Sequence, residues 1–332
     1  VLREYGGEWS AVSELPTGPL LHEIHRGVTL WGSGRATLLA LMGTGRWKRI
    51  WIPSYMCREV KDALRAFTCA TYLDHPLLEP AGLPEKTVPG DLVLRVNYFG
   101  LRGADEAERS RGDVVEDHSH DPVGPWARAS RATFGMASLR KTFPTPDGGA
   151  LWSPSGAGVP AEIDATLAHL AAADARREAM EQKALYLRGQ PVERAAMRTL
   201  FAAGEARIGT LSGIHPETRE TVLACSPVEL AARSRRSRDV LAAATPWAVP
   251  AKGDPFGLVL DLKTHRRRER VLRALIDEGV HPSVLWPLSF FTAGAAKTAS
   301  KRLLFVPSDF RYSPRDVETV AEILRGIAER EA

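Results

Sequence analysis

The run DLVLRVNYFG, residues 91–100, decides how this chain is read. Leu92, Val93, Leu94 and Val96 leave little polar alternation, so a strand here must be covered on both faces. Strands of that kind belong to parallel sheets flanked by helices. The neighbouring segments repeat the theme. RIWIPSY (49–55) reads as a strand stopped by Pro53, and CATYLDH (69–75), GDVVEDHSH (112–120), RATFGMASL (131–139) and GALWSP (149–154) are strand-like as well. Between them, GSGRATLLALM (32–42) reads as a turn opening a helix, and EVKDALRAF (59–67) as a short amphipathic helix. This alternation predicts an α/β fold with a largely parallel sheet. In such sheets ligands sit outside the carboxyl ends of the strands. Four polar clusters fall there: Ser54–Tyr55, Asn97–Tyr98, Asp117–His120 and Ser138–Lys141.

The second half changes character. Helical spacing runs over 160–189 and 192–207, and a new unit starts near 210. It reads as helix (226–244, opened by Ser226 and Pro227), strand (256–262), helix (266–279), strand (301–307) and a Ser-capped closing helix (313–329). A smaller α+β domain is expected from this order. The expected division is residues 1–29 as a segment joining the small domain, 30–210 as the large domain and 211–332 as the small one.

Charge and composition exclude several classes. The 332 residues carry 44 basic and 40 acidic side chains, a net +4 that is spread out and gives no nucleic-acid footprint. The basic THRRRER stretch (264–270) reads as the solvated face of a helix. Three cysteines, Cys57, Cys69 and Cys225, match neither a zinc pattern nor a disulfide framework, which suits a reducing compartment. No run approaches the about 18 apolar residues of a membrane span, and no basic-then-apolar leader opens the chain. A soluble, cytoplasmic protein is expected.

Chemistry concentrates in two places. VVEDHSHDP (114–122) packs Asp117, His118, His120 and Asp121 into five positions, and suits a metal site, a polar turn or a cofactor site. FGMASLRKTFPTPDGGALW (134–152) places Lys141 at the end of a buried strand. Desolvation lowers the pKa of such an amine and makes it a nucleophile toward carbonyls. A surface lysine beside Arg140 is the plainer alternative.

The segments SGRATLLAL, IPSYMC, VNYFG, VVEDHSHDPVG, SLRK and PDGGAL, in that order over roughly residues 30–155, resemble fold-type I pyridoxal-phosphate (PLP) enzymes. The DegT/StrS-type sugar aminotransferases are the nearest family, with class V aminotransferases as neighbours. LLFVPSDFRYSPRDVE near the C-terminus resembles the end of such chains. The resemblance implies a large domain with a mostly parallel seven-stranded sheet, a small C-terminal domain, and a homodimer that shares its active sites. It implies that Lys141 carries PLP as a Schiff base and that Asp117 faces the pyridine nitrogen. His120 falls where the family faces the ring's phenolic oxygen, and His118 would line the pocket. Ser33, Gly34 and Arg35, with Ser138, would hold the phosphate at a helix start. Tyr55 or Tyr98 is the candidate to stack on the ring, because the family's stacking position holds Cys57. Asn97 and Arg311 are substrate candidates, Arg311 equally a structural ion pair.

These features imply an enzyme, an aminotransferase with a small-molecule amino donor and acceptor. A PLP lyase, decarboxylase or carbon–carbon bond-forming enzyme, a desulfurase using Cys225, and a non-catalytic protein of the same fold are the alternatives. GVHPSVLWPLSFF (279–291) departs from the family's HYPPLH-like element, having Ser289 in place of the second histidine. That departure points to a small keto compound or amino acid as substrate.

Overall fold

The computed structural model describes residues 4–79, 82–103, 112–288, 292 and 294–332, so Ser289 lies outside the described residues. In chain order the strands are β1 (Tyr5–Gly6), β2 (Thr29–Trp31), β3 (Arg49–Pro53), β4 (Cys69–Tyr72), β5 (Asp91–Val96), β6 (Asp113–Asp117), β7 (Phe134–Ser138), β8 (Gly149–Trp152), β9 (Gly257–Asp261), β10 (Val280–His281) and β11 (Leu303–Pro307). The helices before residue 210 are α1 (Leu21–Ile24), α2 (Gly34–Gly43), α3 (Arg58–Ala63), α4 (Pro125–Ala129), α5 (Leu167–Leu187) and α6 (Arg194–Arg207). Those after it are α7 (Pro216–Ala224), α8 (Pro227–Ala243), α9 (His265–Asp277), α10 (Gly294–Arg302) and α11 (Pro314–Glu331).

A seven-stranded sheet runs in the order β2-β8-β7-β6-β5-β3-β4, and only β8 lies antiparallel to its neighbours. All six residues of β5 are buried, as its apolar run requires of a strand covered on both faces. The helices start where small polar side chains satisfy free backbone donors. Ser33, Thr166 and Ser226 each accept from the third residue on, and Ser313 forms a reciprocal box with Asp316.

β9 and β11 form a separate antiparallel pair whose two faces serve different cores. Val259, Leu303 and Phe305 face the core of the large sheet, while Leu258, Leu260, Leu304 and Val306 pack with α9 and α11. The N-terminal segment is strapped both to this part of the chain and to α5. β1 pairs with β10, and the Lys183 amine reaches Glu4 at 2.8 Å and the Glu8 carbonyl at 2.6 Å. No helix among the described residues is long and apolar enough to cross a membrane.

One buried ion pair braces the carboxyl edge of the sheet. Arg102 grips Asp74 with two nitrogens at 2.9 and 3.1 Å and also donates to the Val96 carbonyl. Asp74 follows β4, and its backbone carbonyl accepts from Tyr55 N–H. Asp74→Ala leaves the guanidinium buried without its carboxylate and should cost about 3–5 kcal/mol in urea unfolding. A loss below about 1 kcal/mol would show that the pair is not needed to hold this edge.

Candidate active site

The four polar clusters do stand at strand ends, because β3, β5, β6 and β7 terminate at Pro53, Val96, Asp117 and Ser138. An open cleft of about 640 Å³ lies over two of these ends. Ser33, Gly34, Arg35, Asp117, Ser138 and Lys141 line it. Beyond β7 a single tight turn, Leu139–Lys141, carries the lysine. Its position follows from burial of Leu139, whose N–H donates to Gly148 O and whose carbonyl accepts from Phe143 N–H. The helix start is pressed against the same edge: a Cβ on Gly34 would lie 3.0 Å from Ser138 Cβ. Ser33 Oγ caps Ala36 N–H, leaving the first amides of α2 beside Ser138.

Lys141 Nζ lies 3.1 Å from His120 Nε2. Burial pushes the amine below its ordinary pKa, opposed by the nearby Asp117 carboxylate. His120 is held well below the usual imidazole range by burial and by the lysine charge. Its ring stacks on Phe99, with centroids 4.5 Å apart and planes 7° from parallel. Phe99 has a left-handed backbone (φ 54°), a conformation that is rare for a bulky residue, and its N–H points at His120 Nδ1 at 3.2 Å. Asp117 Oδ1 accepts from Ser119 N–H at 2.8 Å, and Ser119 Oγ accepts from Ser138 N–H at 2.7 Å. Adjacent strand ends are thereby tied together.

Several expectations are corrected. Tyr55 and Tyr98 are fully buried behind the cleft and do not line it. They meet edge-on, Tyr98 Oη donates to the Tyr55 carbonyl at 2.6 Å, and Tyr55 Oη donates to the Leu285 carbonyl. His118 turns away from the cleft because its Nε2 meets the buried Glu116 carboxylate at 3.2 Å, and its Nδ1 meets Asn97 Nδ2 at 3.3 Å. Asn97 is therefore a support for His118, also outside the cleft lining. Arg311 pairs with Asp309 at 2.7 Å and covers the Trp9 ring at 4.1 Å, so of its two expected roles the structural one holds. Asp121 is buried against Gly100, Gly124 and Gly253, its carboxyl pushed up to about 6 by burial and the Asp254 charge. The DHSHD side chains thus have separate partners. The Cys225 thiol is buried and pushed up to about 12, which does not suit a sulfur nucleophile.

Residues not anticipated also line the cleft, among them Met56, Glu59, Ser119, Met136, Arg140, Glu205 and Trp286. Glu205 gathers Arg35, Arg140 and Arg176 at 3.0, 2.7 and 3.3 Å. Glu205 sits on α6, and no local pattern in that helix marks it as different from its other charged positions.

No family model matches the chain, and no curated protein matches it. Solved structures do. A DegT DnrJ EryC1 StrS aminotransferase from Brucella abortus aligns at TM-score 0.58 and 14% identity, over 95% of this chain and 91% of that one. The chain has the fold of the DegT/StrS-type aminotransferases. Two further structures share this fold type I architecture. DesI, solved in the presence of its TDP-sugar product, aligns at TM-score 0.59 and 16% identity over 96% and 86% of the two chains. PseC of Helicobacter pylori, an aminotransferase involved in the biosynthesis of pseudoaminic acid, aligns at TM-score 0.60 and 13% identity over 98% and 100%.

In this aminotransferase fold the desolvated amine has a direct signature. A lowered lysine pKa means that the neutral, reactive form appears at lower pH. In cofactor-free protein, Lys141 should half-label with an amine-selective reagent well below the ordinary lysine value of about 10.4. Peptide mass spectrometry across a pH series reads this. A labelling midpoint at or above that value would contradict burial of the amine.

Proposed function

We propose that the protein is a PLP-dependent aminotransferase that passes nitrogen from an amino-acid donor to a keto sugar. The observation that carries this reading is the placement of Lys141 and Asp117 at the ends of adjacent strands, in one cleft, beside the start of α2. The residues present fit the cofactor. Gly34 lets the start of α2 close onto Ser138, and the α2 amides with Ser33, Arg35 and Ser138 offer an anion cradle at a helix start. Asp117 offers a carboxylate for a ring nitrogen, and Lys141 offers an amine that can be neutral. When bound, the cofactor supplies an aldehyde and an electron-withdrawing ring.

The chain's own work is to hold, orient and move protons. Asp117 would keep a ring nitrogen protonated by accepting its hydrogen bond. Lys141 Nζ would hold the cofactor through its aldehyde, and as a neutral amine it would be the base that takes the proton from the donor's α-carbon. His120 Nε2, braced by Phe99, keeps Nζ aimed. Over the whole reaction the donor carbon is oxidised from amine to carbonyl, and the acceptor carbonyl is reduced to amine. A sugar acceptor replaces the small keto compound or amino acid suggested by the departure at Ser289. It is supported by the sugar chemistry of the DesI and PseC structures. The boundary near residue 210 and a homodimer with shared active sites belong to the same proposal.

Two variants test it. Lys141→Ala should lower transfer of ¹⁵N from a panel of amino acids by at least about 10²–10⁴-fold, and Asp117→Asn should cost most of the activity while thermal unfolding stays cooperative. Borohydride treatment of the loaded wild type should add the cofactor's mass to the Lys141 peptide. Mass on another peptide, or full turnover in Lys141→Ala, would overturn the assignment.

A further inference from the structure

Among the described residues, Trp286 is the only aromatic side chain lining the cleft. It reaches the site from far along the chain, within the stretch between β10 and α10. The stretch is held on three sides. Ser283 exchanges two backbone hydrogen bonds with Phe305 of β11, at 2.8 and 2.9 Å. Ser300 Oγ of α10 donates to the Trp286 carbonyl at 2.6 Å and accepts from Leu288 N–H at 3.3 Å. Tyr55 Oη donates to the Leu285 carbonyl from the large-sheet side. The indole is half-buried, packs 5.6 Å from the His120 ring and 5.8 Å from the Tyr55 ring, and stands with its centroid 5.2 Å from Lys141 Nζ.

An anchored, partly exposed indole beside the reacting amine offers a flat, electron-rich face. A pyranose has a complementary one: its axial C–H bonds form an apolar, slightly positive patch, while its hydroxyls point outward to polar partners. Beside the apolar Met56, Val60 and Met136, the lining carries Glu59 and the ion-paired Arg140 and Glu205, whose polar atoms can meet those hydroxyls. A carbonyl carbon in a ring lying on this face would be carried next to the Lys141 amine.

We propose that Trp286 is the platform on which the acceptor sugar ring lies, and the residue that sets acceptor specificity. This rests on the aminotransferase reading, and the two half-reactions separate them. Wild type, Trp286→Phe and Trp286→Leu are compared in nitrogen uptake from the amino donor, in nitrogen delivery to a panel of free, TDP-linked and UDP-linked keto sugars, and in pyridoxal phosphate binding to the cofactor-free protein by absorbance titration. The expected result is a sugar KM at least about tenfold higher in Trp286→Leu, partly restored in Trp286→Phe, with a loss on the sugar side at least tenfold greater than on the donor side or in cofactor affinity. Equal losses on both sides, or a cofactor affinity that falls as far as the sugar KM rises, would make Trp286 a cover for the cofactor and overturn the proposal. A wild type that takes nitrogen from the donor but delivers it to no sugar also overturns it. Failure of the donor half-reaction itself sinks the aminotransferase reading.

Discussion

Desolvation of one amine at the carboxyl edge of a parallel sheet is the constraint on which the rest of the site depends. An ammonium is costly to bury, so Lys141 sits where burial favours its neutral form while Asp117 limits the shift. The fold supplies the rigidity this balance needs. Leu139 and Phe143 anchor the turn that carries the lysine, and Ser119 ties the Asp117 end of β6 to the Ser138 end of β7. Gly34 lets a helix start approach that edge closely enough to add its backbone amides. A desolvated lysine, a carboxylate and a helix start converge because β6 and β7 end where α2 begins.

The cluster at residues 117–121 shows how a strand end divides labour among neighbours. Asp117, the last residue of β6, faces the cleft. His118, one position on, is carried to the other side, where Glu116 and Asn97 hold it in the interior. His120 returns toward the lysine, and Asp121 is buried among glycines. Two histidines two positions apart therefore do different work. Their spacing alone left a metal site, a polar turn and a cofactor site as readings.

Support and contact are also redistributed. Tyr55 and Tyr98, the expected stacking residues, form the wall behind it, and the hydroxyl of Tyr55 holds the backbone next to Trp286. The aromatic surface of the cleft comes instead from a residue some 145 positions after Lys141. Arg311, a plausible fork for a substrate carboxylate, is consumed by Asp309 and Trp9. Glu205 does the reverse. An unremarkable helix-face glutamate at the cleft becomes the hub of three arginines, two of them in the cleft lining and the third, Arg176, buried.

The sequence by itself determined the alternating strands and helices, the carboxyl-end positions of Asp117, Ser138 and Lys141, and the turn that opens α2. Those features depend on apolar periodicity, on strand-ending residues and on caps a few positions away, all of which are local. Only the tertiary structure decided that His118 turns inward, that Tyr55 and Tyr98 stand behind the cleft, that Arg311 is spent on an ion pair, and that Trp286 and Glu205 reach the site. Each of these follows from which distant partner packing brings within reach: Asn97 for His118, Leu285 for Tyr55, Trp9 for Arg311 and Arg140 for Glu205. A side chain's role is set by the lowest-energy partner available in space, and chain separation carries no record of it.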